Sequence, residues 1–199
     1  MQPWQPLLDW WFGPEASASQ TAAARQGLWF GKKDHQDAEA RERFGDLVEQ
    51  ALAGELADWA EQPDGWLALV LLLDQLPRMI FRNSPRGFAG DARAQALVAD
   101  GLARGLERYL VPIRQVFIYL VLEHAEDLAS QERALYRYRL LLDGVDLADR
   151  SLFEGFLDFS ERHRVVIARF GRFPHRNAVL GRPSSAEESA FLLEPGSRF

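Results

Sequence analysis

The sequence predicts an all-α fold, and three observations support that class. The apolar stretches are long and rich in leucine, and residues that cap helices stand at their ends. No stretch combines the period and the turn residues that mark a convincing strand. The chain has 199 residues, 47% of them apolar, which suffices for one core and is short for two. We therefore expect a single helical domain over residues 1–199.

In the first half of the chain, turn residues divide the apolar pattern into separate segments. Gly13 stops the first helix, Asp37 is expected to cap the next one, and Pro77 is expected to bend the helix that contains it. The predicted segments are a helix over 3–12, a loop or weak helix over 14–27, and helices over 37–52 and 66–83.

The second half contains five more predicted helices, which brings the total to about eight. Asp91 is a cap, and Pro112 suits the first turn of a helix. Two capping boxes, each a serine followed three residues later by a glutamate, begin at Ser151 and Ser185, and Gly171 is a stop. The predicted helices cover residues 91–105, 113–124, 130–142, 151–170 and 185–193.

Composition excludes several classes of protein. Cysteine is absent, so the chain has no disulfide, no thiolate nucleophile and no cysteine-bound metal, which fits a reducing cytoplasm. The N-terminus lacks the basic region and cleavage site of a secretory signal. The longest apolar runs, residues 66–73 and 116–122, are far shorter than the roughly 20 residues of a membrane span. We expect a soluble cytoplasmic protein with no membrane partner.

Charge is distributed unevenly along the chain. The net charge of −6 disfavours general nucleic-acid binding. Residues 161–182 nevertheless carry +5 and the remainder −11. Only two of the 23 basic residues are lysine, so arginine dominates. Either a GC-rich genome explains this choice, or several arginines are buried or paired, where a planar guanidinium outperforms an ammonium.

Four segments together resemble the bacterial domain-of-unknown-function family 924. They are LDWWFG at 8–13, LALVLLLDQLPRMIFRN at 67–83, FIYLVLEHAEDLASQER at 117–133 and HRVVIARFGRFPHRNAVLGR at 163–182. The resemblance covers almost the whole chain and implies a tetratricopeptide-like array of helices, but it brings no established activity. Two residues depart from the family pattern: Met79 stands in place of an expected Asn, and Val121 in place of an expected Pro.

The resemblance also indicates which polar residues to examine first. Three groups fall within its motifs: Asp74, Gln75, Pro77, Arg78 and Arg82; Glu123, His124, Glu126, Asp127 and Gln131; and His163, Arg169, Arg172, His175, Arg176 and Asn177.

The first functional hypothesis is a binding module for an anionic small molecule or an acidic peptide group. Arginine binds carboxylate and phosphate through two parallel hydrogen bonds. The predicted ligand-binding residues are Arg78, Arg82, Arg169, Arg172, Arg176 and Asn177. The alternative is that these arginines pair internally with Asp74, Glu123, Glu126 and Asp127 and tie the C-terminal segment to the core.

The second hypothesis is an enzyme that uses the same pocket. His163 or His175 would act as acid or base, and Asp127 or Glu126 would orient it. His163 also lies on the apolar stripe of its helix, so a hydrogen-bonded core histidine is the simpler interpretation. A third hypothesis is a protein–protein adaptor, which predicts an exposed apolar patch instead of a polar cleft.

Other chemistries find little support in the sequence. The histidines and carboxylates match no known metal-ligand spacing, so we expect no metal site. No phosphate-binding loop, dinucleotide fingerprint or nucleophile elbow occurs, so we expect no cofactor. Phe170 and Phe173 add rings to the arginine-rich segment, as in single-strand binders, but the acidic remainder of the chain disfavours nucleic acid.

Overall fold

Helices make up all the regular secondary structure of residues 2–14 and 16–198, which are the residues that the computed structural model of this chain describes. The α-helices are α1 (Gln5–Phe12), α2 (Ala18–Trp29), α3 (Asp34–Ala53), α4 (Pro63–Ile80), α5 (Asp91–Arg104), α6 (Pro112–Glu123), α7 (Leu128–Gly144), α8 (Arg150–Phe170) and α9 (Ala186–Phe191). Short 3₁₀ turns cover Ala57–Glu61, Pro85–Phe88, Leu106–Tyr109 and Pro174–Arg176. The all-α class is confirmed.

The additional helix among the described residues is α2, which lies in the segment predicted as a loop or weak helix. Its first turn is held by a capping box: the Ser17 hydroxyl accepts from Gln20 N, and the Gln20 side chain accepts from Ser17 N. This motif satisfies two of the backbone N–H groups that a helix start leaves without partners. It explains why a segment of weak amphipathic pattern is helical.

Two predicted caps have other roles in the structure. The helix expected to begin at Asp37 begins at Asp34, and the Asp37 carboxylate accepts from Arg82 Nε at 2.5 Å. The helix expected to be capped by Asp91 is preceded by Gly90, and Asp91 is its first residue. Both carboxylates still lie near a positive helix end, but their direct partners are arginine side chains.

The predicted capping box at Ser151 is wrong. Helix α8 begins one residue earlier, at Arg150, and the Glu154 side chain accepts from Arg150 Nε at 3.1 Å instead of turning back to the helix start. Asp149 precedes the helix, and its carboxylate accepts from the backbone N and hydroxyl of Ser19 in α2. The box predicted at Ser185 is confirmed at the start of α9.

Helix α4 is the centre of the fold, because other helices cover it on several sides. It packs against α1, α3, α5 and α6. Its residues 65–77 are all buried, as an apolar run without a polar face requires. The helix continues through Pro77 to Ile80. Since proline has no N–H, the Leu73 carbonyl loses its usual donor, and the Gly90 backbone lies directly against that carbonyl.

Two further groups of contacts complete the core. The rings of Trp11, Phe12 and Trp29 meet Phe117 of α6 at centroid distances between 4.9 and 5.4 Å, mostly edge to face. Helix α6 packs against α7, and α7 packs against α8. The predicted tetratricopeptide-like arrangement and the single-domain assignment stay predictions. In the described part of the chain no helix has the length and apolarity to cross a membrane.

Candidate functional site

A polar cluster forms where four segments of the chain meet. They are the last turns of α4, the first residue of α5, the residue that caps the C-terminus of α6, and the 3₁₀ turn over Pro174–Arg176. We call it the Arg176 cluster; its members are Asp74, Arg78, Asp91, His124 and Arg176. It is assembled by the packing of α4 against α5 and α6, which brings residues distant in sequence together.

Asp74 is the innermost member of the Arg176 cluster and is 1% exposed. Its carboxylate lies 2.5 Å from Gln75 Nε2 and 3.1 Å from Arg78 Nη1, and both of its oxygens lie within 3.0 Å of His124 Nδ1. Burial alone would raise the pKa of Asp74, but Arg78 and His124 outweigh burial and hold that pKa well below its usual range. Asp74 is therefore ionised near neutral pH.

His124 caps α6 and reaches the surface with a side chain that is 15% exposed. Burial lowers the pKa of His124; Asp74 opposes that shift, while Arg78 and Arg176 add to it. The ring is thus neutral near pH 7. An ionised carboxylate can only accept hydrogen bonds. Nδ1 of His124 therefore carries the ring proton and donates a hydrogen bond to Asp74. The other ring nitrogen, Nε2, is left with a lone pair.

Arg78 links α4 to α5 through two parallel hydrogen bonds. Its Nη1 and Nη2 donate to the two oxygens of Asp91 at 2.9 and 3.0 Å, and Nη1 also donates to the Asp74 carbonyl at 2.7 Å. This is the bidentate geometry in which guanidinium and carboxylate pair most strongly. Both terminal nitrogens of Arg78 are therefore bound within the protein.

Arg176 is bound differently. It is 6% exposed, and its Nη1 donates to the His124 carbonyl at 3.0 Å. Among the described residues the nearest carboxylate oxygen, on Asp91, is 3.8 Å away, and the buried Nε has no hydrogen-bond partner. The guanidinium lies over the rings of Phe88 and Phe173, 5.2 and 4.4 Å from their centroids. Burial, followed by the charge of Arg78, lowers the pKa of Arg176 to about 10.

His163 lies behind the Arg176 cluster in the core. Its Nδ1 is 2.9 Å from the Phe159 carbonyl and 3.1 Å from Glu123 Oε1, and the residue is 3% exposed. Burial lowers the pKa of His163 to about 3 and raises that of Glu123 to about 8. Both groups are neutral near pH 7. The carboxylate beside His163 is Glu123, whereas the sequence suggested Asp127 or Glu126.

His175 precedes Arg176 in the same 3₁₀ turn and is half-buried. Its ring lies 5.6 Å from that of Phe173. Burial lowers the pKa of His175 to about 3, and the positive charges of Arg176 and Lys32 add to the shift. His175 therefore stands at the edge of the Arg176 cluster as a neutral ring.

The other predicted ligand-binding residues have partners outside the Arg176 cluster, although Asn177 directly follows Arg176. Arg82 pairs with Asp37 of α3, and Arg169 pairs with Glu187 at 2.9 Å. Arg172 forms two hydrogen bonds with Glu188, at 2.6 and 2.8 Å, and Asn177 Nδ2 lies 3.1 Å from the Ser184 hydroxyl and 3.4 Å from Glu188. These contacts are internal pairs, as in the alternative to ligand binding considered from the sequence. None of the three carboxylates, Asp37, Glu187 and Glu188, is among those named there.

The two remaining catalytic candidates have structural contacts. Asp127 is the N-cap of α7, and its carboxylate accepts from Ser130 N at 2.8 Å. Glu126 accepts from Phe173 N at 2.8 Å and from two nitrogens of Arg182 at 2.5 and 2.9 Å. These bonds tie the C-terminal segment to the residues between α6 and α7.

The comparisons with known proteins agree with this architecture. A family model described as a bacterial protein of unknown function (DUF924) matches residues 7–196. The chain belongs to this family. It is also similar to the solved structure of ATU0120, a protein of unknown function from Agrobacterium tumefaciens, with 34% identity and a TM-score of 0.74. That match covers 89% of this chain and 99% of the other. No functionally curated protein matches the chain significantly.

Within this DUF924 chain, two clefts formed by the described residues lie away from the Arg176 cluster. One has a volume of about 120 Å³ and is lined mainly by apolar residues of α4, α5 and the segment 51–57, together with Arg93 of α5. The other measures about 270 Å³ and lies beside Glu107 and Tyr119. Over residues 2–14 and 16–198, no three histidine, aspartate or glutamate side chains converge in a way that could hold a metal.

Sequence reasoning selected Asp74 and His124 but did not pair them. They are 50 residues apart, on different helices, so no local spacing connects them. The sequence indicates only a helix cap at Asp91 and no role for Phe88. Met79, which departs from the family pattern, is buried among apolar side chains of the core, so its thioether packs there instead of joining the Arg176 cluster.

Proposed function

We propose that this protein binds an anionic group, a phosphate or carboxylate of a small molecule or of an acidic peptide, at Arg176, with Arg78 and His124 beside it. One observation carries the proposal: Arg176 is a buried arginine without a close carboxylate. Its nearest described carboxylate oxygen is 3.8 Å away, whereas Arg78, Arg82 and Arg172 have one within 2.9 Å.

The energetics of burial support an anion at this position. Moving a charged group out of water costs free energy unless a counter-charge and hydrogen bonds replace the lost hydration. Arg176 keeps a buried Nε without an acceptor, and burial lowers its pKa to about 10. A phosphate or carboxylate would supply both the acceptor and the opposite charge.

The aromatic neighbours restrict how a ligand approaches. Phe88 and Phe173 lie against the Arg176 guanidinium, so hydrogen bonds form only at the edge of its plane. Phe88 is half-buried and lies on the 3₁₀ turn Pro85–Phe88, whereas Phe173 is fully buried. Because Phe88 is the more exposed of the two rings, we expect a ligand to reach Arg176 by displacing Phe88.

The remaining predicted binding residues, Arg82, Arg169, Arg172 and Asn177, are not part of this proposal, because their contacts within the chain occupy them. We keep the cytoplasm as the proposed location, in line with the absence of cysteine. The adaptor hypothesis stays a prediction.

A thermal-shift screen tests the binding proposal. The panel contains inorganic phosphate, pyrophosphate, citrate, nucleotides and a triglutamate peptide. A ligand at about one hundred times its dissociation constant stabilises the fold by about 2.7 kcal/mol, which is easily measured. The expected result is stabilisation by at least one anion and its loss in Arg176→Met, which keeps an unbranched stem but removes the donors and the charge.

Arg169→Met is the matched control, because Arg169 is 43% exposed and pairs with Glu187 outside the Arg176 cluster. It should bind the same anion as the unmodified protein. Circular dichroism and cooperative unfolding establish that each variant folds, and Arg176→Lys provides a second, milder change if Arg176→Met does not. Stabilisation that survives in both Arg176 variants, or no stabilisation by any anion, would contradict the proposal.

A further inference from the structure

The Arg176 cluster contains an arrangement that anion binding alone does not require. His124 Nδ1 faces both oxygens of Asp74, at 2.8 and 3.0 Å, and that carboxylate is 1% exposed. Gln75 and Arg78 hold the carboxylate from the other side, at 2.5 and 3.1 Å. The imidazole is therefore held in one orientation and one tautomer by a buried, ionised partner.

This geometry leaves Nε2 of His124 as a hydrogen-bond acceptor in a side chain that is 15% exposed. A carboxylate that orients a histidine from its Nδ1 side is the arrangement by which catalytic triads prepare a base. Arg176 fixes the same residue from the backbone, since its Nη1 donates to the His124 carbonyl at 3.0 Å. The base and the proposed anion-binding donor are thus parts of one unit.

The other histidines lack this combination. His163 has its Nδ1 against the Phe159 carbonyl and Glu123, and only 4% of its side chain is exposed. His35 lies on the exposed first turn of α3. His175 is half-buried, and its ring lies against Phe173.

We propose that Asp74 and His124 form a general-base pair that activates water for hydrolysis of an ester carrying an anionic group, which Arg176 holds. The inference rests on the proposed binding function. Water is the nucleophile because the chain has no cysteine, and no serine or threonine hydroxyl bonds to His124 in the part that the structure describes. Asp74 is a positioning residue in this scheme.

The proton and electron pairs balance without a cofactor. His124 Nε2 takes a proton from water as the water oxygen forms a bond to the ester carbonyl carbon. The bond from that carbon to the leaving oxygen then breaks, and the leaving oxygen takes the proton back from His124. The charged and titratable groups that face His124 are Asp74 and Arg78 of α4, Arg176 and His175 of the 3₁₀ turn, and His163 of α8.

Chemical modification tests the base directly. Diethyl pyrocarbonate acylates accessible neutral imidazole nitrogen, and mass spectrometry of peptides resolves the four histidines. We expect His124 to react much faster than His163, because the His124 side chain is 15% exposed whereas that of His163 is 4% exposed. Asp74→Asn should slow the reaction at His124 and leave His35 unchanged. Equal rates at His124 and His163, or a rate at His124 that Asp74→Asn does not alter, would overturn the inference.

Hydrolysis of mono-(4-nitrophenyl) glutarate, with 4-nitrophenyl acetate as the uncharged comparison, tests the activity. His124→Ala should lose roughly 10²–10⁴-fold in rate, the range of general-base catalysis, and added imidazole should restore part of it. Arg176→Met should remove the preference for the charged ester. A wild-type protein no faster than buffer, or an unchanged rate in folded His124→Ala, overturns the catalytic inference.

Calorimetric titration with the anion found in the thermal-shift screen separates the two proposals. If His124→Ala still binds that anion and wild type does not hydrolyse the charged ester, only the catalytic inference fails. If wild type binds no anion, the proposed function fails as well.

Discussion

At the scale of single residues, burial and pairing give side chains of the same chemical type different properties. Arg172 and Arg176 are four residues apart, yet Arg172 has two hydrogen bonds to Glu188, while Arg176 is buried with an Nε that lacks an acceptor. Asp74 and Glu123 lie on facing helices and are both 1% exposed. Arg78 and His124 keep Asp74 ionised, whereas burial raises the pKa of Glu123 to about 8.

The raised pKa of Glu123 predicts a pH-dependent stability. A carboxyl group with a raised folded-state pKa binds more protons in the folded protein than in the unfolded chain. Its contribution is therefore complete below its ordinary pKa of 4.5 and is lost as pH rises to about 8. Glu123→Gln, which stays neutral, should gain on the order of 4 kcal/mol relative to wild type between about pH 5 and pH 8.

Urea unfolding of both proteins across that range measures the difference. Glu154→Gln is the control, because Glu154 is exposed and pairs with Arg150 at the surface. Its free energy of unfolding should stay within about 0.5 kcal/mol of wild type at each pH. If the free energies of unfolding of Glu123→Gln and wild type changed in parallel with pH, Glu123 would not be protonated in the folded protein.

At the scale of secondary-structure elements, the junction of α4 and α5 connects the fold to the Arg176 cluster. Pro77 removes a backbone donor inside α4, and Gly90 packs against the carbonyl that this leaves. Asp91 follows immediately and binds Arg78 of α4 at 2.9 Å. The close approach of the two helices therefore determines where Arg78 and Asp91 meet.

Gly90→Ala should destabilise the protein, because the added Cβ would overlap the Leu73 carbonyl, and backbone cannot move aside as a side chain can. The expected loss is about 1–3 kcal/mol, as for other overpacked sites. Gly155→Ala is the matched control: Gly155 is exposed within α8, and a Cβ added there would meet no other atom within 4 Å. That change should stabilise the helix by about 0.5–1 kcal/mol.

Thermal and urea unfolding measure both glycine variants under the same conditions. Equal stabilities for the two would mean that α4 and α5 tolerate a wider separation at Gly90.

At the scale of the whole molecule, the C-terminal segment is held by ion pairs as much as by apolar contacts. Val166, Ile167 and Phe173 form a small second core with Phe170 and Phe191. Around it, Glu188 accepts from Arg172, Asn177 and Ser185 N, and Glu126 accepts from Arg182 and Phe173 N. These bonds position the 3₁₀ turn that carries Arg176.

Glu188→Ala should therefore loosen residues 173–193 while the helices α1–α8 stay folded. Glu188 is 3% exposed, and Arg172 together with Ser185 N lowers its pKa to about 2. Glu187→Ala is the control, since neighbouring Glu187 forms an exposed pair with Arg169. Amide hydrogen exchange should increase over residues 173–193 in Glu188→Ala alone.

The ion pair between Glu188 and Arg172 predicts a pH effect on stability that is opposite in sign to that of Glu123. Because the pKa of Glu188 is lowered, its stabilisation is complete above about 4.5 and is lost as pH falls towards 2. Exchange over residues 173–193 should rise in wild type at low pH and become similar to that of Glu188→Ala. If Glu188→Ala and Glu187→Ala showed identical amide exchange over residues 173–193 at neutral pH, this role for Glu188 would be contradicted.

Helix formation was predictable from the sequence because its signals are local. Caps, proline, glycine and the 3.6-residue period act within a few residues, so the all-α class, the stop at Gly171 and the capping box at Ser185 follow from sequence alone. Where local signals are ambiguous, the predictions failed. Ser151 has the pattern of a capping box, but α8 begins at Arg150. The preceding residue, Asp149, accepts a hydrogen bond from Ser19 N of α2 with its carboxylate.

The sequence by itself determined the helical class, the approximate helix limits and the segments in which polar groups concentrate. The tertiary structure alone decided which of those groups meet. Asp74 and His124 are 50 residues apart, Arg176 and His124 are 52 apart, and Arg182 and Glu126 are 56 apart. Pairing over such distances depends on how helices pack, and burial then sets the charge state of each group. These long-range effects distinguish Arg176 from Arg78, Arg82 and Arg172.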